Sequence, residues 1–80
     1  MKTLLITEYL NYVEISNTGK TSKIGVGNNS GHKLGIISWY APWRRYVFSA
    51  NEANLVFDSK CLKDITAFID DLMDKRKEKS

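Results

Sequence analysis

The apolar residues of this chain change their spacing once. Up to Ala50 they fall in short runs broken by Gly, Asn and Pro, and beyond Asp58 they recur every three or four residues. The first pattern is that of strands and turns, the second that of an amphipathic helix. Cys61, Leu62, Ile65, Phe68, Ile69, Leu72 and Met73 make one stripe, and Lys63, Thr66, Asp70, Asp71 and Asp74 face away from it. Asp58 or Ser59 supplies the cap, and the helix is expected to run to about Arg76.

Upstream, Tyr9, Val13 and Ile15 alternate with polar positions from Glu8 to Ser16 and predict a first strand. Leu5, Tyr9, Tyr12 and Val13 also fit a short helix, and both readings stand at this point. Asn17-Thr18-Gly19-Lys20 is a turn signal, and Lys23–Gly27 is a second short strand weakened by two glycines. Asn28–His32 reads as a loop and Asn51–Asn54 as a turn, with Leu55-Val56-Phe57 as a last strand.

The stretch Lys33–Ala50 is the centre of the reading. It holds both tryptophans, two of the four tyrosines, both mid-chain arginines and the only proline. Leu34–Tyr40 and Arg44–Ser49 are β-rich, and Pro42 presets a corner between them. A two- or four-residue loop pairs Tyr40 with Arg45, Trp39 with Tyr46 and Ile37 with Phe48. A three-residue loop would place Arg45 opposite Trp39 and mix the faces, so the even loop is preferred. A proline turn of ordinary hand favours the four-residue form. Gly35, Ile37, Trp39, Tyr46, Phe48 and Ala50 then share an apolar face, while Ser38, Tyr40, Arg45, Val47 and Ser49 share a mixed one.

These elements predict an α+β fold: an antiparallel β-meander of four to five strands with one C-terminal amphipathic helix packed on one face. Residues 1–74 form a single small domain, and residues 75–80 form a charged, frayed tail. One helix covers one face of a sheet. The other is expected to stay open and to carry Tyr40, Arg45 and, at the hairpin tip, Trp43.

Charge is unevenly placed. Residues 1–49 carry six basic and two acidic groups, residues 50–74 carry two basic and six acidic groups, and residues 75–80 carry four basic and one acidic group. A basic sheet backed by an acidic helix steers an anionic partner to one side. The single cysteine allows no intrachain disulfide and suits a reducing compartment. The apolar run Thr3–Ile6 is too short for a signal-peptide core, and no run approaches the ~20 apolar residues of a membrane span. A cytoplasmic protein with no membrane partner is expected.

Catalytic and cofactor motifs fail on their own terms. Gly19-Lys20-Thr21 has Glu14 where a P-loop needs its first glycine. Gly25-Val26-Gly27 continues to Ser30, where a dinucleotide fingerprint needs glycine. Cys61 belongs to the apolar stripe, which leaves His32 without a nucleophile. Asp70, Asp71 and Asp74 diverge on one helix and form no calcium loop. The reading is of a protein that is not an enzyme and has no catalytic residues, metal ligands or cofactor.

The remaining candidate is a ligand surface of Tyr40, Trp43, Arg44 and Arg45, with Lys23, Lys33 or Lys20 nearby. Arginine pairs with phosphate through its planar fork, and aromatic rings stack on bases. The same residue types anchor protein interfaces. Nucleic acid or a nucleotide is therefore one expected partner. A host protein or a second copy of the chain is the other.

The run Ser30-Gly31, Leu34-Gly35, Ile37, Trp39-Tyr40-Ala41-Pro42-Trp43-Arg44, Tyr46 and Phe48 is followed by Phe57-Asp58, Cys61-Leu62, Asp64-Ile65 and Phe68-Ile69. Over about residues 22–72 this resembles a group of small phage- and prophage-encoded proteins with a WYxPWRxYxF core and a CLxDIxxFI helix. The resemblance implies an accessory protein of a mobile element in the bacterial cytoplasm. Its expected role is to bind nucleic acid or to block or sequester a component of host defence. By architecture alone, the chain also resembles the sheet-plus-helix DNA-binding domains of some phage-type integrases.

Overall fold

The hairpin at the centre of the sequence forms in the expected register. Tyr40 pairs with Arg45, Trp39 with Tyr46 and Ile37 with Phe48, across a loop of four residues. Ala41–Trp43 make one 3-10 turn with Pro42 in its first positions, and Arg44 closes it at φ 52°, ψ 48°. The Arg44 N–H donates to the Ala41 carbonyl at 3.1 Å. A left-handed residue at this point lets the second strand return antiparallel after a proline-led corner.

The computed structural model describes residues 2–52 and 56–78, with side chains through Lys75. Five strands follow one another in an antiparallel meander: β1 (Lys2–Ile6), β2 (Leu10–Asn17), β3 (Ser22–Asn28), β4 (Lys33–Tyr40) and β5 (Arg45–Ala50). Helix α1 (Ser59–Glu78) then packs on one face of the sheet. The fold is the expected α+β arrangement, with five strands rather than four among the described residues.

Of the two N-terminal readings the strand is the one that forms, and three expectations about the strands are corrected. The N-terminal segment is two strands rather than one. Lys2–Ile6 pairs with β2 through a tight turn, in which the Thr7 N–H donates to the Leu10 carbonyl at 2.8 Å. The expected alternation of Tyr9, Val13 and Ile15 also marked the wrong residues as core. Leu10 and Tyr12 are the buried ones, and Tyr9 lies in the turn. Tyr12 has a ring large enough to anchor the core and an acceptor for its hydroxyl. The last predicted strand does not form at Val56 and Phe57, which are irregular, and Leu55 lies outside the described residues.

The core lies between α1 and the sheet. It comprises Leu10, Tyr12, Ile24, Val26, Leu34, Ile37, Tyr46 and Ile65, with Trp39, Phe48, Phe57, Cys61, Phe68, Ile69, Leu72 and Met73 packed around them. The Tyr12 and Phe68 rings stack with centroids 4.2 Å apart. Trp39 meets Tyr46 edge-on at 5.4 Å, and Phe48 meets Phe57 edge-on at 5.6 Å. Gly35 is the space that Phe48 occupies. A Cβ there would lie 2.3 Å from the Ser49 carbonyl oxygen and 2.6 Å from Phe48 Cζ. Leu62, assigned to the apolar stripe by its spacing, is exposed instead.

Polar groups fasten the helix to the sheet. Asp58 caps it, with Oδ1 accepting the Cys61 N–H at 2.9 Å. Those bonds hold the Asp58 carboxyl below the usual carboxylate range, and burial followed by Asp58 itself pushes the Cys61 thiol up. One turn on, Asp64 accepts hydrogen bonds from the Tyr12 hydroxyl at 2.7 Å and from the Thr7 hydroxyl. Burial, then the Asp64 carboxylate, drives the Tyr12 phenol well above the ordinary tyrosine value. Asp64 therefore joins α1 to the β1–β2 turn and to the core tyrosine at once.

Candidate functional site

No element among the described residues covers the second sheet face. Its membership follows from pairing, because residues directly opposite in an antiparallel ladder lie on the same side. Asn11, Gly27 and Lys33 are opposite one another across β2, β3 and β4, as are Val13, Gly25 and Ile36. Ser38 and Tyr40 continue this side along β4, opposite Val47 and Arg45. Lys23 precedes Ile24, whose partner is the buried Ile37, so alternation places Lys23 on the open side too.

At one end of this face stand the rings and guanidinium groups. Tyr40 is 42% exposed and Trp43 is 64% exposed, and their rings meet edge-on with centroids 5.0 Å apart. Neither ring is sealed in the core. Arg45 is exposed directly across the ladder from Tyr40. Arg44 is exposed beside it and is the one described non-glycine residue with positive φ. This conformation costs a residue with a Cβ of order 1–2 kcal/mol, and such outliers cluster where a side chain has work to do.

The six predicted ligand residues therefore divide. Tyr40, Trp43, Arg44 and Arg45 gather at the hairpin tip. Lys23 lies on the same face on β3, the strand next to β4. Lys33 also lies on it, at the far end of β4, eight residues of strand that span ~23 Å.

Charge on this face has one sign. Lys23, Lys33 and Arg45 are its charged strand residues, and no carboxylate occupies an open-side strand position among the described residues. Glu14 is opposite Ile24 and so lies on the helix side. Asp70, Asp71 and Asp74 are exposed on α1, behind the sheet. Exposed Asp71 pairs with Lys75 at 3.0 Å. The open side is thus cationic, while α1, with five acidic and five basic residues, is balanced.

Sequence reasoning missed a second feature of this face. A groove of about 480 Å³ runs over Gly25 and Gly27, between Ile15 and Val13 on one side and Ile36 on the other. Its rim includes His32, Lys33 and Asn51. Ile15 is the extra residue of a bulge in β2, and its Cδ1 would lie 3.2 Å from a Cβ at Gly25. A Cβ at Gly27 would meet the His32 carbonyl oxygen at 3.1 Å, where β3 and β4 close through a register shift. The legible signal was the i, i+2 spacing of the glycines, which removes two successive side chains from one side of a strand.

Among the described residues no group of three or more His, Cys, Asp or Glu side chains is placed to hold a metal ion. No described helix is long and apolar enough to cross a membrane. The chain is similar to an uncharacterised 9.3 kDa protein of Acholeplasma phage L2, with 45% identity over 74 residues that cover 90% of this chain and 94% of that protein. No family model matches the chain, and no solved structure matches it.

Proposed function

The chain belongs to a family of small phage proteins, the one that includes this 9.3 kDa relative, and on that footing we propose that it is a non-enzymatic binding module for an anionic ligand, nucleic acid or nucleotide. The supporting observation is the open sheet face, which sets the exposed Tyr40–Trp43 ring pair beside Arg45 on a surface with cationic and no anionic strand residues. Arg44 and Arg45 contact phosphate, and Trp43 and Tyr40 stack on bases.

The test is binding of a fluorescent single-stranded oligonucleotide at several salt concentrations. Affinity falls steeply with salt, by about 0.7 in the log–log slope for each phosphate contact. Arg44→Ala with Arg45→Ala lowers affinity and flattens that slope by about 1.4. Unchanged affinity in the double variant ends the reading.

A different observation favours a second reading, a protein–protein module. Strand β1 is a sheet edge whose five residues are all exposed, Leu4, Leu5 and Ile6 among them. An uncovered apolar edge is a template for another strand, from a second copy or from a host protein. Analytical ultracentrifugation tests the self-association form. Concentration-dependent dimers that Leu5→Lys abolishes support it, and a monomer at every concentration removes it.

A further inference from the structure

From the length of the open face and the position of its groove, we infer that the ligand is an extended single strand of about four nucleotides, with one base at the Trp43–Tyr40 pair and another in the groove over Gly25 and Gly27. This rests on the nucleic-acid reading above and narrows it to one class of ligand.

Three observations carry the inference. The first is separation. The ring pair lies at the Tyr40 end of β4, and the groove runs from Ile36, ~13 Å along the strand, to its rim at Lys33, ~23 Å away. A single nucleotide cannot occupy both. A strand stretched to about twice the ~3.4 Å duplex rise covers that distance in about four nucleotides, the small end of single-strand site sizes.

The second is the chemistry of the groove. Its volume of about 480 Å³ falls within the ~300–1,000 Å³ range of small-molecule sites. Gly25 and Gly27 line the groove with Ile15 and the Asn11 side chain lying close beside them, and Val13, Ile15 and Ile36 supply apolar walls suited to the faces of a base. Lys33 stands at the rim, where the adjoining phosphate would pass, and no carboxylate lines the groove. The Asn11 amide already donates to the Asn28 carbonyl at 3.0 Å, so it frames the groove and is committed to the turn.

The third is shape. Five strands make a layer ~19 Å wide, too broad for the ~12 Å major groove of a duplex. The Tyr40 and Trp43 rings also need bases that are unstacked from their neighbours, which a single strand offers and a duplex does not.

The experiment is fluorescence anisotropy on the full chain with labelled oligothymidylates of two, four and six nucleotides and a 12-base-pair duplex. Affinity should rise about tenfold or more from two to four nucleotides and then level off, as expected when one further base is packed, and the duplex should bind more weakly than the six-mer. Ile36→Glu, inside the groove, and Lys33→Ala, at its exposed rim, should each weaken the six-mer and leave the dinucleotide unchanged. Trp43→Ala should weaken both. The inference is overturned if the six-mer binds no tighter than the dinucleotide, if the duplex binds as well as the six-mer, or if neither groove variant affects the six-mer. A chain that binds none of these oligonucleotides overturns the nucleic-acid reading itself, so the two failures are distinct.

Discussion

Two tyrosines show how differently the two sides of this sheet are used. Tyr12, on β2, is fully buried, stacks on Phe68 and donates a hydrogen bond from its hydroxyl to Asp64. Tyr40, on β4, is 42% exposed and meets only the rim of another exposed ring, that of Trp43. Both stand on strands of the same meander, and neither strand has a composition that sets it apart. The difference is the helix. Where α1 lies, aromatic residues are core, and no buried side-chain nitrogen or oxygen among the described residues lacks a partner. Where it does not, the same residue types become contact surface. An aromatic residue on a small sheet is thus assigned its role by what covers it, and its own hydrophobicity does not decide.

The contrast can be broken most forcefully at Gly35. A methyl group there meets the Ser49 carbonyl oxygen, which is backbone and cannot swing aside. Gly35→Ala should cost about 3 kcal/mol of stability, the upper end for overpacking. Chemical denaturation would measure it, and a loss below ~1 kcal/mol would mean that Phe48 and β5 relax freely.

Asp64 comes next. Asp64→Ala leaves the buried Tyr12 hydroxyl without its acceptor and the Thr7 hydroxyl with the Leu10 carbonyl alone. The expected loss is about 1–3 kcal/mol. A pH profile sharpens the same point. The folded chain holds the Tyr12 proton more tightly than the unfolded chain does. That contribution is therefore complete below about pH 10 and is lost as the pH rises beyond it. The urea midpoint of the wild type should fall between pH 9 and pH 11 more steeply than that of Tyr12→Phe, and parallel profiles would contradict the assignment.

At the acidic end the sign is reversed. Asp58 has a lowered value in the folded chain, so its cap is present above the ordinary carboxylate range and is lost as the pH falls through that lowered value. Hydrogen exchange at the Cys61 and Leu62 amides should quicken first there, ahead of Phe68.

The smallest effects on stability belong to the open face. Arg44→Gly removes a left-handed residue with a Cβ and should stabilise the chain by about 0.5 kcal/mol, the ~1–2 kcal/mol of strain being offset by the flexibility of glycine when unfolded. The same variant should bind oligonucleotide more weakly. Trp43→Ala and Arg45→Ala should leave stability within about 0.5 kcal/mol while reducing binding. A marked loss of stability in both would turn the open face into a second core and dissolve the comparison.

Much of this was legible in advance, for reasons that differ by element. The hairpin register followed from Pro42 and from the need to keep Ile37, Trp39, Tyr46 and Phe48 on one side. The helix followed from its spacing, although Leu62 shows that spacing alone overstates the width of the buried stripe. At the N-terminus the same reasoning erred. Leu10 and Tyr12 are core while Val13 and Ile15 are not, because apolar residues sit on both sides of β2 and alternation cannot rank them. Only the stacking of Phe68 and the acceptor on Asp64 select the Tyr12 side.

The sequence by itself determined the local choices: a proline-led turn, alternating strands, one amphipathic helix and a basic half followed by an acidic one. These depend on residues close together in the chain, where backbone preference and side-chain period act directly. The tertiary structure decided which side of the sheet the helix covers, and hence that Lys23, Lys33, Tyr40 and Arg45 share a face with a glycine-lined groove. That face joins residues from four strands. It exists only once those strands are paired and α1 has taken the other side.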